Sequence, residues 1–161
     1  MGEGISFKPD GSRGLECYVN ADFAGGWDKA DLGNPEAFLS TTGHVLMYDS
    51  CPVLFYSKLQ IEIALFTTEA EYIALSEATQ EIIPLVNLLK EINEVFSLNL
   101  KEPKFHCKVF EDNNSCIVLT TAQNLLPRTK NIALKYHNFR QFVKNKMIEI
   151  LEIFTKLLEE K

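Results

Sequence analysis

A mixed α/β domain is the fold class that this sequence predicts. Three observations carry the prediction: short β-type runs cluster in residues 15–66, one long run with helical spacing follows, and a further strand run and helical runs close the chain. With 161 residues, 46% hydrophobic and 24% charged, the chain is long enough for one domain with a substantial core. No apolar run reaches membrane-spanning length and no secretory signal is present, so the expectation is a soluble, intracellular protein without a membrane partner. Cys17, Cys51, Cys107 and Cys116 stand singly, without zinc or redox spacing, and read as reduced, mostly buried thiols.

In order, residues 1–14 are glycine-rich, with a Lys8-Pro9-Asp10-Gly11 turn, and read as a linker. The domain proper is expected over 15–151. Residues 15–23 alternate as a strand, with Leu15, Cys17 and Val19 on one face and Glu16, Tyr18, Asn20 and Asp22 on the other. A long polar loop over 24–40 follows, of the kind that is often functional. Gly43 to Tyr48 and Val53 to Ser57 read as a hairpin around Asp49-Ser50-Cys51-Pro52, and Ile61 to Phe66 as a third strand-like run. From Ala70, apolar residues recur at Ile73, Ala74, Ala78, Ile82, Leu85, Val86, Leu89, Ile92 and Phe96, which predicts one long amphipathic helix bent at Pro84. Lys104 to Phe110 predicts a strand, Ser115 to Ala122 a short helix, Ile132 to Val143 another helix and Met147 to Leu151 a last strand. Residues 152–161 read as a helical tail.

Two acids admit two readings each. Glu71 stands three residues after Thr68, so it is either the second half of a capping box or a metal ligand. Asp112, at the end of a strand, is either the cap of the following helix or a second ligand. Carboxylates from a strand end and a helix start that meet at one sheet edge repel one another unless divalent cations neutralise them, and an all-oxygen set selects magnesium or manganese. The net charge of -6 argues against bulk coating of nucleic acid. Yet Arg128, Lys130, Lys135, Arg140, Lys144 and Lys146 form a run with no acid among them, which is either a solvated face or a phosphate track.

Seven blocks then point to a family: YVNADFAG (18–25), STTGHV (40–45), YSKLQ (56–60), TTEAEYIALSEA (67–78), FEDNNSCI (110–117), PRTKNIALKYHNFR (127–140) and EIFTKLL (152–158). In order and spacing they resemble the ribonuclease H domain of copia-type LTR retrotransposon polyproteins, over nearly the whole chain. Residues 4–15 resemble the junction with the reverse transcriptase region, which the resemblance makes a polyprotein partner. It also implies a ribonuclease H-like fold, a mixed five-stranded sheet with its first three strands antiparallel and flanking helices. The implied activity is two-metal hydrolysis of the RNA strand of RNA/DNA hybrids with Mg2+ or Mn2+, in the cytoplasm within a virus-like particle or in the nucleus. Hybrid contact would fall to Arg128, Lys130, Lys135 and Arg140.

The resemblance assigns Glu71 and Asp112 to two of four acid positions. The first acid is replaced by Asn20 and the last by Ala133, with Asn131 in place of a preceding histidine, so cation binding and turnover are expected to be weakened or lost. Asp22 lies two residues from Asn20, about 6.5 Å along the strand, too far to bridge ions without rearrangement. His137, one turn beyond Ala133, could lend a nitrogen, a poor ligand for magnesium. An active nuclease rescued by Asp22 and His137, and a non-catalytic nucleic-acid-binding or structural module, are the alternative readings.

Overall fold

Alternating apolar residues set the first strand. Leu15, Cys17 and Val19 turn inward to near-complete burial while Tyr18, Asn20 and Asp22 stay exposed. The computed structural model describes residues 4, 6–9, 11–26, 33–97, 106–122, 132 and 134–153. Within them lie β1 (Leu15–Asp22), β2 (Thr41–Tyr48), β3 (Cys51–Leu59), α1 (Thr67–Phe96), β4 (Cys107–Glu111), α2 (Asn114–Thr121), α3 (Arg140–Lys144) and β5 (Ile148–Glu152). Pro35–Phe38 and Leu134–His137 form 3₁₀ turns.

The strands form one five-stranded sheet ordered β3-β2-β1-β4-β5. The pairs β3/β2 and β2/β1 are antiparallel; β1/β4 and β4/β5 are parallel. This is the mixed sheet, antiparallel through its first three strands, that the sequence predicts. Asp49 and Ser50, both at positive φ (46° and 68°), make the two-residue hairpin turn that matches strand twist. Asp49 also exchanges two 2.8 Å hydrogen bonds with Gly14, its amide donating to the Gly14 carbonyl and its carboxylate accepting from the Gly14 amide.

Helix α1 lies against β1 and β2 through its first five turns. Ala70, Ala74 and Ala78 are fully buried, and their small side chains let the helix approach the sheet closely. Ile73, Leu75, Ile82 and Val86 fill the space around them with Leu15, Cys17, Val19, Val109 and Ile148. Leu85 is only partly buried, and beyond Val86 the helix turns outward, with Leu88, Val95 and Phe96 exposed. The helix continues through Pro84 without its amide donor. Gln60 pins the start of α1, its amide donating to the Thr42 hydroxyl at 3.1 Å and the Ala70 carbonyl at 2.9 Å.

Several expected elements differ. Ile61 to Phe66 is not a strand: its alternating Ile61, Ile63 and Leu65 are exposed, and it bridges β3 to α1 as an irregular segment. Continuous helix over Ile132 to Val143 is also absent, because the chain turns at Asn138 and Phe139 between the 3₁₀ turn and α3. The strand expected from Lys104 is described only from Cys107, and β5 runs to Glu152, one residue beyond the expected domain end. The rest of the expected tail helix, from residue 154, lies outside the described residues.

The packing predicts a contrast along one helix. Ile82→Ala, at a fully buried site, should cost about 2–5 kcal/mol in urea unfolding. Leu88→Ala, two turns along and half exposed, should cost under about 1 kcal/mol. Equal costs would show that the sheet-facing side of α1 is not the core of the fold.

Candidate metal centre

The site is built where β1, β4 and α1 end or begin together. Helix α1 starts at Thr67, with Phe66 as its N-cap and no side-chain cap. Glu69, at the third helical position, accepts from the Leu65 amide at 2.7 Å, one residue before the N-cap, and so ties the approaching chain to the first turn. Glu71 lies inside the helix with Thr68 and takes no part in a cap, which corrects the capping-box reading. Its Oε2 accepts instead from the Ala21 amide of β1 at 2.7 Å.

Asp112 does not cap α2. That role falls to Asn113, whose Oδ1 accepts from the Cys116 amide at 3.0 Å. Asp112 is exposed at the strand end, free to face Glu71. A third acid, unremarked in the sequence, completes the group: Glu111, fully buried, with Oε1 accepting from the Asn113 amide at 3.1 Å. One carboxylate oxygen from each of Glu71, Glu111 and Asp112 lies within 4.8 Å of the other two. Two oxygens on one magnesium ion stand at most about 4.2 Å apart, twice the metal–oxygen distance, so small side-chain adjustments would close the group around a cation.

Crowding and burial shift both buried acids. Burial, then the negative charge of Asp112, push the Glu71 carboxyl up to about 7 against the lowering effect of the Ala21 amide. Burial, then the charge of Glu71, push Glu111 up to about 8, with the Asn113 amide opposing.

The other expected site residues are distributed around this group. Asn20 precedes the amide that holds Glu71, and it shares with Asp112 a shallow cleft of about 390 Å³ bordered by Tyr18, Gly43, Val45 and Phe55. Asp22 lies outside the three-acid group, and its carboxylate sits against Gly25 so closely that any Cβ there would collide with it. His137 also stands apart from the group; its Nδ1 meets the Tyr72 hydroxyl at 2.8 Å, and burial followed by the charge of Arg140 holds it below the usual imidazole range. Arg140 donates from Nε to the Thr120 carbonyl at 3.3 Å, tying α3 to α2. Arg128, Lys130 and Ala133 lie outside the described residues, and Lys135 falls in the Leu134–His137 turn. Glu152 ends β5 beside Glu111 in register, with its carboxylate 3.5 Å from the Asn114 amide nitrogen.

A pH dependence follows from the two raised carboxyls. Both hold protons more tightly in the folded chain than at the ordinary value of 4.5, so their contribution to stability is full below about pH 4.5 and is lost as pH rises through about 7 and then about 8. In a chelator, Tm should fall between about pH 4.5 and about pH 8 and level off above it, and Glu71→Gln or Glu111→Gln should flatten the fall. A fall that both variants leave unchanged would place its origin elsewhere.

No family model matches the chain. Among curated proteins it is 36% identical, over 141 residues and 88% of its length, to the retrovirus-related Pol polyprotein from transposon TNT 1-94 of Nicotiana tabacum. It is 28% identical over 152 residues to the corresponding polyprotein from transposon RE2 of Arabidopsis thaliana. The chain spans only 9% of the length of each. Among solved structures, LC11-RNase H1 isolated from compost is 14% identical with a TM-score of 0.48, covering 88% of this chain and 84% of that one. RNase H1 from the archaeon Halobacterium salinarum NRC-1 is 16% identical with a TM-score of 0.46, covering 86% and 84%. Among the described residues no helix is long and apolar enough to cross a membrane. The chain is a homologue of the retrovirus-related Pol polyproteins of plant transposons, and it carries the mixed five-stranded sheet that its ribonuclease H resemblance implied.

Proposed function

We propose that this chain is a ribonuclease H-like domain of retrotransposon Pol origin that engages RNA/DNA hybrids through a divalent cation, with hydrolysis of the RNA strand weakened or lost. The observation that carries this reading is the convergence of Glu71 and Asp112. They come from a helix start and a strand end, and their oxygens meet within 4.8 Å in an all-oxygen group that includes Glu111. The donor set suits a hard cation, Mg2+ or Mn2+, and such an ion would offset the burial and the Asp112 charge that together raise Glu71. Glu71 and Asp112 would hold it, with the Asn20 amide oxygen at the cleft edge. When bound, a cation of this kind activates water and stabilises charge on a phosphoryl group.

The chain's own part in the chemistry is positional. The Ala21 amide fixes one Glu71 oxygen, which holds the carboxylate in place within reach of Asp112. Asn20 keeps a carbonyl oxygen but lacks the full charge that an aspartate there would bring, and Ala133 offers no ligand, which is the ground for weakened turnover. Asn20→Asp should strengthen Mn2+ binding in calorimetry by about tenfold or more and raise cleavage of a labelled RNA/DNA hybrid. Hybrid binding without cleavage by both proteins would favour the non-catalytic binding module. Neither binding nor cleavage by either protein would overturn the hybrid reading.

The acid-free run from Arg128 to Lys146 supplies the phosphate contacts in this reading, led by Arg128, Lys130 and Lys135. Lys130→Ala should weaken hybrid binding and lower its salt dependence by about one charge, with Tm unchanged. Hybrid binding that is insensitive to salt in the unmodified chain would count against the basic track.

A further inference from the structure

Glu111 presents a problem that the assignment of Glu71 and Asp112 leaves unsolved. Its side chain is 0% exposed, and Oε2 has no hydrogen-bond partner among the described residues. Oε1 is already engaged by the Asn113 amide, which fixes the plane of the carboxylate. A buried carboxylate with one oxygen unpaired is costly, by several kcal/mol for a charged group, unless a proton or a cation completes it. The group it faces contains two further carboxylates within 4.8 Å, and among the described residues no donor meets Oε2.

The second observation concerns position 20. There β1 presents a neutral amide side chain on the cleft that Asp112 also lines. Glu111 ends β4, the parallel neighbour of β1, and its carboxylate joins Glu71 and Asp112 from that adjacent strand.

We propose that Glu111 is a direct cation ligand and supplies the anionic charge that Asn20 does not, so the site holds one divalent ion through Glu71, Glu111 and Asp112. This rests on the cation-site reading above. It also assigns Glu111 a role distinct from a protonated core acid, because a core acid would gain nothing from its place between the two other carboxylates.

The test is Mn2+ binding to the full chain, measured by calorimetry and by the electron paramagnetic resonance of the bound ion, at about pH 8.5. Glu111→Gln preserves shape and should lower Mn2+ affinity at least tenfold while Tm in chelator is kept or raised. Glu111→Asp keeps the charge but shortens the reach, so direct ligation predicts a loss here too, whereas a diffuse field effect predicts none. Asn20→Asp placed in the Glu111→Gln background should restore most of the lost affinity. If the unmodified chain binds Mn2+ and both Glu111 variants bind it within twofold as well, the role of Glu111 is overturned and the cation site stands. If the unmodified chain binds no Mn2+, both fall together. If Glu111→Gln does not fold, the Glu111→Asp result alone decides, by loss or retention of affinity.

Discussion

The hydrogen bond from the Ala21 amide to the Glu71 carboxylate, 2.7 Å long and buried, is the contact on which the arrangement at the sheet edge depends. It joins the central strand to the long helix at the point where both reach the acidic group. A strand amide at the end of a ladder needs an acceptor, and a buried carboxylate needs a donor. Each solves the other's problem. The cost is that Glu71 is held at a fixed distance from Asp112 and Glu111, so the repulsion among the three cannot be relieved by swinging it away.

The alanines of α1 make that bond possible. Ala70, Ala74 and Ala78 let the helix lie close to β1, and a larger residue at Ala70 or Ala74, beside Glu71, would press the helix away from the strand that holds its carboxylate. Gln60 works in the same direction from the other side, because its donation to the Ala70 carbonyl anchors the first turn. The outer half of α1 has no such duty, and Leu88, Val95 and Phe96 past Val86 stand exposed, away from the site.

Much of this was legible in the sequence, for reasons that can be named. Period-two alternation placed β1, β2 and β4, and helical spacing placed α1, because in each case one face is buried and the pattern records it. Glu71 and Asp112 were legible as candidate ligands, but their alternative capping roles were not separable from spacing alone; α1 begins too early for Glu71 to cap it, and Asn113 caps α2 in place of Asp112. Ile61 to Phe66 alternates like a strand, yet its apolar side chains face solvent, so pattern without a buried face misled. Glu111 was hidden by its neighbour. Adjacent strand residues point to opposite faces, and only because β4 ends there can Glu111 and Asp112 turn their carboxylates to one point.

The same negative field acts on a group of different chemistry. Cys116, fully buried on the first turn of α2, has its thiol pushed up by burial and then by the charges of Glu111, Glu71 and Asp112. A thiol held protonated is neither a nucleophile nor a ligand. Soft metals such as zinc and copper(I) bind thiolates in preference to carboxylates, so an ionised sulfur at this position would invite them into a group suited to hard cations. Burial first, and the acids after it, hold Cys116 as a neutral core side chain, which leaves the neighbouring group with oxygen donors alone.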